Sequence, residues 1–319
     1  MGNSHETLYK CGKSSTFAEQ NKVTIHNEII EYMFAINHCT VTPVRHEPSE
    51  SSEQLTQLLF GEVCEVLDRL PRWTKIRSTI DGQEGWVDFK MLTSAPISLQ
   101  EVKGERLRAP QNAVGIFGDP AKVKGEGVVA IPMAVATDME TGEERMLTLG
   151  TRLPNYAHGT FEVLGKQYLI NPTEVRGERL EGKGDEAMRR EDVCAIAQTL
   201  LNAPYLWGGK NAMGMDCSGF TQVVYAAMGV NLLRNAREQV TQGELVPSLA
   251  EAHPGDLAFF DHADRDDKAT NISHVGMLLD TKRIIHCSGC VHVDDIDELG
   301  IHLRDGELTH HLVAIKRYL

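Results

Sequence analysis

The sequence lacks any stretch that approaches the ~20 consecutive apolar residues of a membrane-spanning helix. Its first residues, M-G-N-S-H-E-T-L-Y-K-C-G-K, contain no apolar core of signal-peptide length. Glu6 also stands where the N-myristoylation pattern requires Ser or Thr. These absences predict a cytoplasmic protein. An exported protein whose signal sequence had been removed would show the same pattern.

Positive charge and paired cysteines are also scarce. Lys and Arg number 32 against 45 Asp and Glu, giving a net charge of -13, so we expect neither nucleic acid nor an anionic membrane surface as a partner. Seven scattered cysteines, an odd number, suit reduced thiols better than a disulfide framework. The chain of 319 residues, 41% hydrophobic and 24% charged, is long enough for two or three globular domains, and its oligomeric state is left open.

One cysteine lies at the start of an apolar-periodic segment within Tyr205 to Gln222, Y-L-W-G-G-K-N-A-M-G-M-D-C-S-G-F-T-Q. After Cys217, apolar residues recur at helical spacing, at Phe220, Val223, Val224 and Ala227. A cysteine at a helix N-terminus meets unpaired N–H groups and the positive end of the helix dipole. We therefore expect its thiol to ionise more easily than a free cysteine and to act as a nucleophile. Burial as a small apolar side chain is the competing interpretation.

Two histidines lie on a predicted hairpin further along the chain. Residues Asn271 to Leu279, N-I-S-H-V-G-M-L-L, alternate as a strand with His274 on its open face, and Arg283 to Cys287 follow as a second strand. A hairpin centred on Asp280 would place His274 directly opposite His286. The pair could be half of a metal site or a solvated pair, but a Cys-His-His constellation explains all three residues together.

Five phrases of residues 186–319 occur together: P-Y-L-W-G-G, D-C-S-G-F, G-D-L-A-F-F, S-H-V-G-M and I-I-H. In them the chain resembles the NlpC-type cysteine peptidases, papain-like enzymes that cut bacterial cell-wall peptides. The resemblance implies that Cys217 is the nucleophile, His274 the general base and His286 the residue that orients the base. Tyr205 matches a tyrosine that lies beside the nucleophile in this family.

The preceding residues predict small β-domains. We interpret residues 1–38 as an N-terminal helical arm and residues 39–100, with short apolar runs between turn clusters, as a small barrel. The phrases L-L-F-G-E-V-C-E-V-L, W-T-K-I-R and G-W-V-D resemble a bacterial SH3-type domain. Residues 101–178 repeat this pattern of short apolar runs between turn clusters and predict a second SH3-like barrel. The glycine-rich, charged residues 179–185 predict a linker.

The predicted fold class is therefore α+β. Two small SH3-like β-barrels precede a papain-like catalytic domain over residues 186–319, in which the helix that begins with the cysteine packs on an antiparallel sheet. An amphipathic stripe over Arg189 to Leu201 predicts the first helix of that domain.

The barrels bear on the substrate. For NlpC-type enzymes with N-terminal SH3-like domains, the resemblance implies cleavage between γ-D-glutamate and the diamino acid, L-lysine or meso-diaminopimelate, of murein tripeptides or tetrapeptides. Such enzymes demand a free N-terminal L-alanine, and carboxylate side chains of the enzyme bind its amine. Asp216 matches one of these carboxylates, and Glu53, from the first barrel, matches a second. The enzyme would then recycle freed peptides, because the L-alanine of intact murein is amide-linked. Four further residues are predicted to contact substrate: Tyr205, Ser218, Asn235 and Ala236.

Ala236 departs from the family pattern. Members carry R-[DN]-S or a similar triplet after the nucleophile helix, and here Arg234-Asn235-Ala236 lacks the hydroxyl. If the side chain at that position binds substrate, affinity or substrate choice shifts; if the backbone binds it, little changes.

Other clusters predict no metal and no cofactor. Cys287-Ser288-Gly289-Cys290 with His292 could be a redox pair or a zinc corner, but no second C-x-x-C or H-x-x-x-H lies nearby. His310-His311 and Asp264 to Asp267 are interpreted as surface loops. Two alternatives to a peptidase remain open: a non-catalytic wall-peptide-binding protein, and a thiol amidase or acyltransferase on the same fold.

Overall fold

A computed structural model describes residues 22–25, 28–31, 34–94, 126–177, 186–262, 271–303 and 306–319. We call residues 34–94 the first β-unit, residues 126–177 the second β-unit and the described residues from 186 to 319 the C-terminal unit. A separate two-stranded hairpin of β1 (Lys22–Ile25) and β2 (Glu28–Glu31) precedes them. No helix of the described ranges has the length and the apolar composition that crossing a bilayer demands.

Seven short strands form the first β-unit: β3 (Phe34–Asn37), β4 (Val41–Arg45), β5 (Gln54–Leu59), β6 (Val63–Arg69), β7 (Trp73–Ser78), β8 (Glu84–Asp88) and β9 (Leu92–Ser94). They pair antiparallel in the order β5-β4-β8-β7-β6-β3-β9. The buried core between them consists of Ala35, Val44, Leu58, Cys64, Ile76, Val87 and Leu92. The short apolar runs over residues 39–100 thus form strands, as predicted, in the part that the structure describes.

The predicted helical arm over residues 1–38 is wrong wherever the structure describes it. Residues 22–25 and 28–31 are strands, and β3 pairs with β6 and β9 inside the first β-unit. β-branched residues, which favour extended backbone, recur through this segment at Val23, Ile25, Ile29, Ile30 and Ile36. The first β-unit therefore begins before residue 39. Residues 1–21 lie outside the described ranges.

The second β-unit also has seven strands: β10 (Gly127–Val129), β11 (Met133–Asp138), β12 (Glu144–Thr148), β13 (Arg152–Leu153), β14 (Thr160–Val163), β15 (Lys166–Ile170) and β16 (Val175–Arg176). They form two sheets, in the orders β13-β10-β16 and β12-β11-β15-β14. Phe60 of the first β-unit joins its apolar core, so the two β-units pack on each other. Of the predicted unit 101–178, residues 101–125 and 178 lie outside the described ranges, as does the predicted linker 179–185.

The C-terminal unit contains three α-helices and nine strands within the described residues: α1 (Glu186–Gln198), β17 (Lys210–Asn211), β18 (Gly214–Met215), α2 (Cys217–Ala226), α3 (Ala236–Gln239), β19 (Glu244–Val246), β20 (Leu257–His262), β21 (His274–Leu278), β22 (Arg283–Ser288), β23 (Cys290–Ile296), β24 (Gly300–His302) and β25 (Leu308–Arg317). The large sheet runs β19-β25-β20-β21-β22-β23-β24. Because β24 also pairs with β25, six of these strands close into a barrel.

Alternation along the barrel strands buries both of their faces. Val275 and Met277 of β21 share a core with α1 and α2, whereas Leu278 shares a second core with Phe260 and Ile284. This arrangement seats the start of α2 against the strand that carries His274.

Buried polar contacts dock the first β-unit on the segment that leads into α2. Lys210 Nζ lies 3.0 and 3.1 Å from the two carboxylate oxygens of Glu62, and each side chain is only 4% exposed. Gln57 Oε1 accepts hydrogen bonds from the Lys210 backbone N–H and from Asn211 Nδ2, both at 2.9 Å. The first β-unit is thus fixed close to the candidate site described next.

Candidate active site

Cys217 is the first residue of α2. The side chain of Asp216 caps this helix by accepting the backbone N–H of Gly219 at 2.7 Å. A Cβ atom on Gly219 would lie only 2.1 Å from the carbonyl oxygen of Gly209, so glycine is required where the helix packs against the W-G-G turn. The D-C-S-G phrase therefore builds the helix start that presents the cysteine.

The Cys217 thiol is almost fully buried, with the residue 8% exposed, and it accepts a hydrogen bond from the backbone N–H of Val275. Burial first, and then the negative charge of Asp216, raise the pKa of the thiol to about 12. These two causes outweigh the backbone N–H of Val275, the charge of Arg234 and the backbone N–H of Ser218 at the helix start, which lower it. The prediction that the thiol ionises easily is therefore wrong for the thiol without a neighbouring base. A thiolate forms here only if a neighbouring base accepts its proton.

The hairpin that carries the two histidines has a different register from the predicted one. Gly276, not His274, lies opposite His286, because the turn is centred on residue 281. Asp280 Oδ1 accepts the backbone N–H groups of Lys282 and Arg283, and this local bonding sets the turn. The predicted direct opposition is wrong, but the change of two residues keeps both histidines on one face as diagonal neighbours.

Contact between the two imidazoles is direct. His274 Nε2 lies 2.8 Å from His286 Nδ1. The predicted open face is covered, since His274 is 5% and His286 1% exposed. The ring of His310 on β25 lies 4.5 Å from that of His274, centroid to centroid, so the assignment of His310 to a surface loop is also wrong.

Asp294 fixes the direction of the hydrogen bonds. Its Oδ2 lies 3.2 Å from His286 Nε2, and the hydrogen bond from His286 holds the pKa of the carboxyl below its usual range. Burial lowers the pKa of His286, so the ring is neutral at pH 7 and its one proton lies on Nε2, facing the carboxylate. His286 Nδ1 must then accept, and His274 Nε2 must donate. With Nε2 as the donor, the lone pair of a neutral His274 ring lies on Nδ1, as a general base requires.

Sequence reasoning missed Asp294. The register pairs His286 with His292 and Ile284 with Asp294, so the alternating H-V-D of β23 places His292 and Asp294 on the face of His286. That alternation was the available signal, but reading it required the register of the second hairpin.

Asp216 is fully occupied within the protein. Oδ1 accepts from Gly219 N–H at 2.7 Å and from Arg234 at 3.0 Å, and Oδ2 accepts from Gly208 N–H at 2.9 Å and from Arg234 at 2.7 Å. A carboxylate offers about four lone-pair positions, so a substrate ammonium would have to share or replace one of these contacts. Within the protein Asp216 caps α2 and balances the buried Arg234, and its predicted contact with the substrate amine stays a prediction.

Ser218, Asn235 and Ala236 also serve the packing around α2. Ser218, 5% exposed, places its hydroxyl 3.2 Å from Asp216 Oδ1 and 3.0 Å from Arg234. Asn235 caps α3, where Glu238 accepts its backbone N–H at 3.1 Å, and the methyl group of Ala236 is buried in the core shared with α2. Their contacts with substrate remain predictions.

Tyr205 and Glu53 lie at an accessible surface. Tyr205 is 36% exposed, and burial, followed by the nearby Cys217 and Asp216, raises the pKa of its hydroxyl. The exposed carboxylate of Glu53 accepts the indole N–H of Trp207 at 2.8 Å. The first β-unit thus places an acidic side chain on the turn that joins Tyr205 to the nucleophile helix.

The cluster from Cys287 to His292 lies on two adjacent strands, β22 and β23. The six described cysteines are all free, and the buried Cys287 donates its S–H to the carbonyl of Met215 at 3.2 Å. Cys290 and His292 lie on β23, and His292 Nε2 contacts Asp294 Oδ2 at 3.0 Å. The acidic run Asp264 to Asp267 lies outside the described ranges.

Comparisons with known proteins agree with this geometry. A model of the NlpC/P60 family matches residues 202–308, the segment that holds Cys217, His274 and His286. The chain contains an NlpC/P60 domain. A model of the bacterial SH3 domain matches residues 40–93, so the NlpC/P60 domain is preceded by a bacterial SH3 domain in the first β-unit.

Two relatives extend the match beyond the NlpC/P60 domain. The gamma-D-glutamyl-L-lysine dipeptidyl-peptidase of Bacillus subtilis is 26% identical over 244 residues, 72% of this chain and 71% of that enzyme. The enzyme of the same name from Bacillus cereus is 23% identical over 239 residues, covering 72% of this chain and 66% of its own length. A crystal structure of an NlpC/P60 family protein from Bacillus cereus shares the fold, with a TM-score of 0.68 at 20% identity over 90% of this chain and 99% of that one.

The matched region contains Cys217, His274 and His286, and the roles of these three residues in a cysteine peptidase stay predictions.

Proposed function

We propose that this protein is a cysteine endopeptidase that hydrolyses the γ-D-glutamyl–diamino acid bond of murein peptides with a free N-terminal L-alanine. The diamino acid is L-lysine or meso-diaminopimelate. The observation that carries the proposal is the placement of Cys217 at a helix start beside β21: the backbone N–H of Val275 bonds to the thiol, and the preceding residue, His274, contacts His286. The names of the two Bacillus relatives support the substrate class.

The chemistry begins with transfer of the Cys217 proton to Nδ1 of His274. The thiolate attacks the γ-carbonyl carbon of D-glutamate, and the N–H groups at the start of α2 stabilise the negative oxygen that develops. His274 then gives the proton to the departing amine, which leaves a thioester on Cys217. Water, deprotonated by His274, hydrolyses the thioester and releases L-Ala-D-Glu and the free thiol.

The raised pKa of the thiol suits this scheme. Intrinsic nucleophilicity of a thiolate rises with the pKa of its thiol. Because burial and Asp216 oppose a resting thiolate, the proton must move to His274 as the reaction proceeds. His286 and Asp294 support that step, since they keep the proton of neutral His274 on Nε2 and so place the lone pair of that ring on Nδ1.

Recognition of the substrate amine falls to the exposed Glu53. The lone pairs of Asp216 are engaged within the protein, so the carboxylate of Glu53, which bonds to Trp207 at the protein surface, is the more accessible of the two predicted ligands for the L-alanine ammonium. The peptide would then contact Ser218, Asn235 and Ala236 at the starts of α2 and α3, which these residues form. The second β-unit, with its two small sheets, is proposed as another SH3-like domain.

A free N-terminus is absent from intact murein, where the L-alanine is amide-linked. We therefore place the protein in the cytoplasmic recycling of freed peptides, without a nucleic-acid or membrane partner.

The test compares L-Ala-γ-D-Glu-L-Lys with its N-acetylated form. When the bound peptide covers Glu53, a charge-assisted hydrogen bond contributes ~1.5–3 kcal/mol, so acetylation should lower kcat/KM at least ~10-fold in the wild type. Glu53→Gln should weaken turnover of the free-amine peptide and leave the rate on the acetylated peptide nearly unchanged. Glu47→Gln, which removes another exposed carboxylate of the same domain, is the matched control.

Equal kcat/KM on the two peptides in the wild type would refute the free-amine requirement. Tight binding of the free-amine peptide without any turnover would instead identify a non-catalytic wall-peptide-binding protein. If acetylation lowered the rate but Glu53→Gln did not, another group would hold the amine.

A further inference from the structure

Three potential metal ligands meet on the side of His286 that faces away from His274. His286 Nε2 and His292 Nε2 lie 3.2 and 3.0 Å from the same oxygen, Asp294 Oδ2, and all three ligand atoms lie within 4.8 Å of one another. The β22–β23 register explains the cluster, because His286 and His292 are directly opposed and Asp294 follows on the same face. Sequence reasoning looked for ligands by spacing along one segment, whereas these three are brought together across a hairpin.

The hydrogen bonds of His292 favour a cation, either a proton or a metal ion, between its Nε2 and Asp294. Its Nδ1 lies 2.7 Å from the carbonyl oxygen of Cys290, which can only accept, so Nδ1 carries a proton. Its Nε2 faces the carboxylate of Asp294, which also only accepts. In a neutral His292 ring the Nε2 lone pair would therefore point at a carboxylate lone pair. A cation between the two atoms removes this repulsion.

We propose that His286, His292 and Asp294 form a Zn²⁺ site that inhibits the peptidase, an effect that rests on the proposed function. Zn²⁺ bonds to nitrogen and carboxylate oxygen at about 2.0–2.2 Å, and the edge of such a tetrahedron is about 3.3–3.6 Å. The contacts of 3.0 and 3.2 Å to Asp294 need to lengthen by only a few tenths of an ångström. Two imidazoles and one carboxylate are ligands that Zn²⁺ accepts readily, and they leave a fourth position for water.

The surroundings of the ligands also fit a metal. Metal-bound histidines usually donate their second N–H to a carbonyl or another acceptor, as His292 does to Cys290. The His292 side chain is 32% exposed, whereas those of Asp294 and His286 are 12% and 2% exposed. An ion can therefore enter from the His292 side.

Inhibition follows from the hydrogen-bond direction. A metal on His286 Nε2 takes the lone pair there, so the proton of the neutral ring must lie on Nδ1, which then donates to His274 Nε2. The single proton of neutral His274 must in turn lie on Nδ1. Neither ring gains or loses a proton overall; each proton changes nitrogen. His274 Nδ1 can then no longer accept the proton of Cys217.

Binding is tested first without the nucleophile. Titration calorimetry of Zn²⁺ into Cys217→Ala should give one high-affinity site per chain. The double variant Cys217→Ala/His292→Ala should lose it, and Cys217→Ala/His302→Ala, which removes a histidine outside the cluster, should keep it. Co²⁺ in the wild type should give a spectrum without a thiolate-to-metal charge-transfer band.

Activity is tested next with the full chain. Zn²⁺ should inhibit wild type and His302→Ala alike, and EDTA should restore turnover. His292→Ala, measured against its own metal-free rate, should require at least ~10-fold more Zn²⁺ for half-inhibition, since one lost ligand typically costs that much affinity.

Four results would overturn the site or its effect: binding that survives His292→Ala, a thiolate charge-transfer band with Co²⁺, loss of binding in Cys217→Ala, or equal inhibition of wild type and His292→Ala. If no peptide is cleaved but the calorimetric site is present and depends on His292, the metal site stands and the proposed function fails.

Discussion

Asp294 should contribute to the rate although it lies two hydrogen bonds from the thiol's base. In Asp294→Ala the acceptor that holds the His286 proton on Nε2 is gone, so His286 can donate to His274 and present the wrong tautomer to Cys217. A charge-assisted hydrogen bond is worth ~1.5–3 kcal/mol, and 1.36 kcal/mol corresponds to a factor of ten, so kcat should fall roughly 10- to 150-fold. KM should change little, because the side chain is 12% exposed and bonds only to histidines within the described residues.

Asp294→Asn should have an intermediate effect, since an amide oxygen can still accept from His286 but carries no charge. Release of L-lysine from L-Ala-γ-D-Glu-L-Lys gives kcat and KM for each variant, and thermal unfolding shows whether each is folded. The neighbouring exposed Asp295, changed to Ala, is the matched control and should be neutral. A folded Asp294→Ala within threefold of the wild-type kcat, or a loss confined to KM, would refute the assigned hydrogen-bond direction.

Two further outcomes follow from the buried charges. Arg234→Met should lower the free energy of unfolding, measured in urea, by ~3–5 kcal/mol because it leaves the Asp216 carboxylate buried without its ion-pair partner. The double variant Arg234→Met/Asp216→Asn should recover part of this loss. A loss below ~1 kcal/mol in the single variant would contradict the pairing. In His274→Ala, the pH midpoint of Cys217 alkylation by iodoacetamide should move toward about 12, since burial and Asp216 raise the thiol pKa and no base remains to take the proton. A midpoint at the ordinary pKa of cysteine in that variant would show that burial does not control the thiol.

The chemistry-bearing segments could be predicted because their patterns are local. Helical periodicity after Cys217 and period-two alternation around His274 and His286 depend on neighbours within a few residues. The two histidines share a face even though their register was wrong, because a change of two residues preserves the face. The predicted arm failed for a related reason: β-branched residues at mixed spacing resemble a helix until pairing with β6 and β9 decides for a strand.

What could not be predicted depends on contacts between distant residues. The thiol pKa is set by how deeply α2 is buried, and the occupation of Asp216 depends on Arg234, 18 positions away in the chain. The burial of the His274 ring from solvent depends on His310 from β25. The role of Asp294 depends on the registers of two successive hairpins. Of these relations, only the alternation of His292 and Asp294 along β23 leaves a periodic signature in the sequence, and interpreting it requires the register.

The most direct measurement of the central claim is the fate of L-Ala-γ-D-Glu-L-Lys on the protein. Mass spectrometry after incubation with wild type should find free L-lysine and L-Ala-D-Glu in equal amounts. In a rapidly quenched sample, peptide mapping should place an L-Ala-γ-D-Glu thioester on Cys217. Cys217→Ala should give neither the products nor the adduct. Intact tripeptide after prolonged incubation with folded wild type, or equal product formation by Cys217→Ala, would contradict the proposal that this chain is a γ-D-glutamyl-diamino acid endopeptidase that works through Cys217.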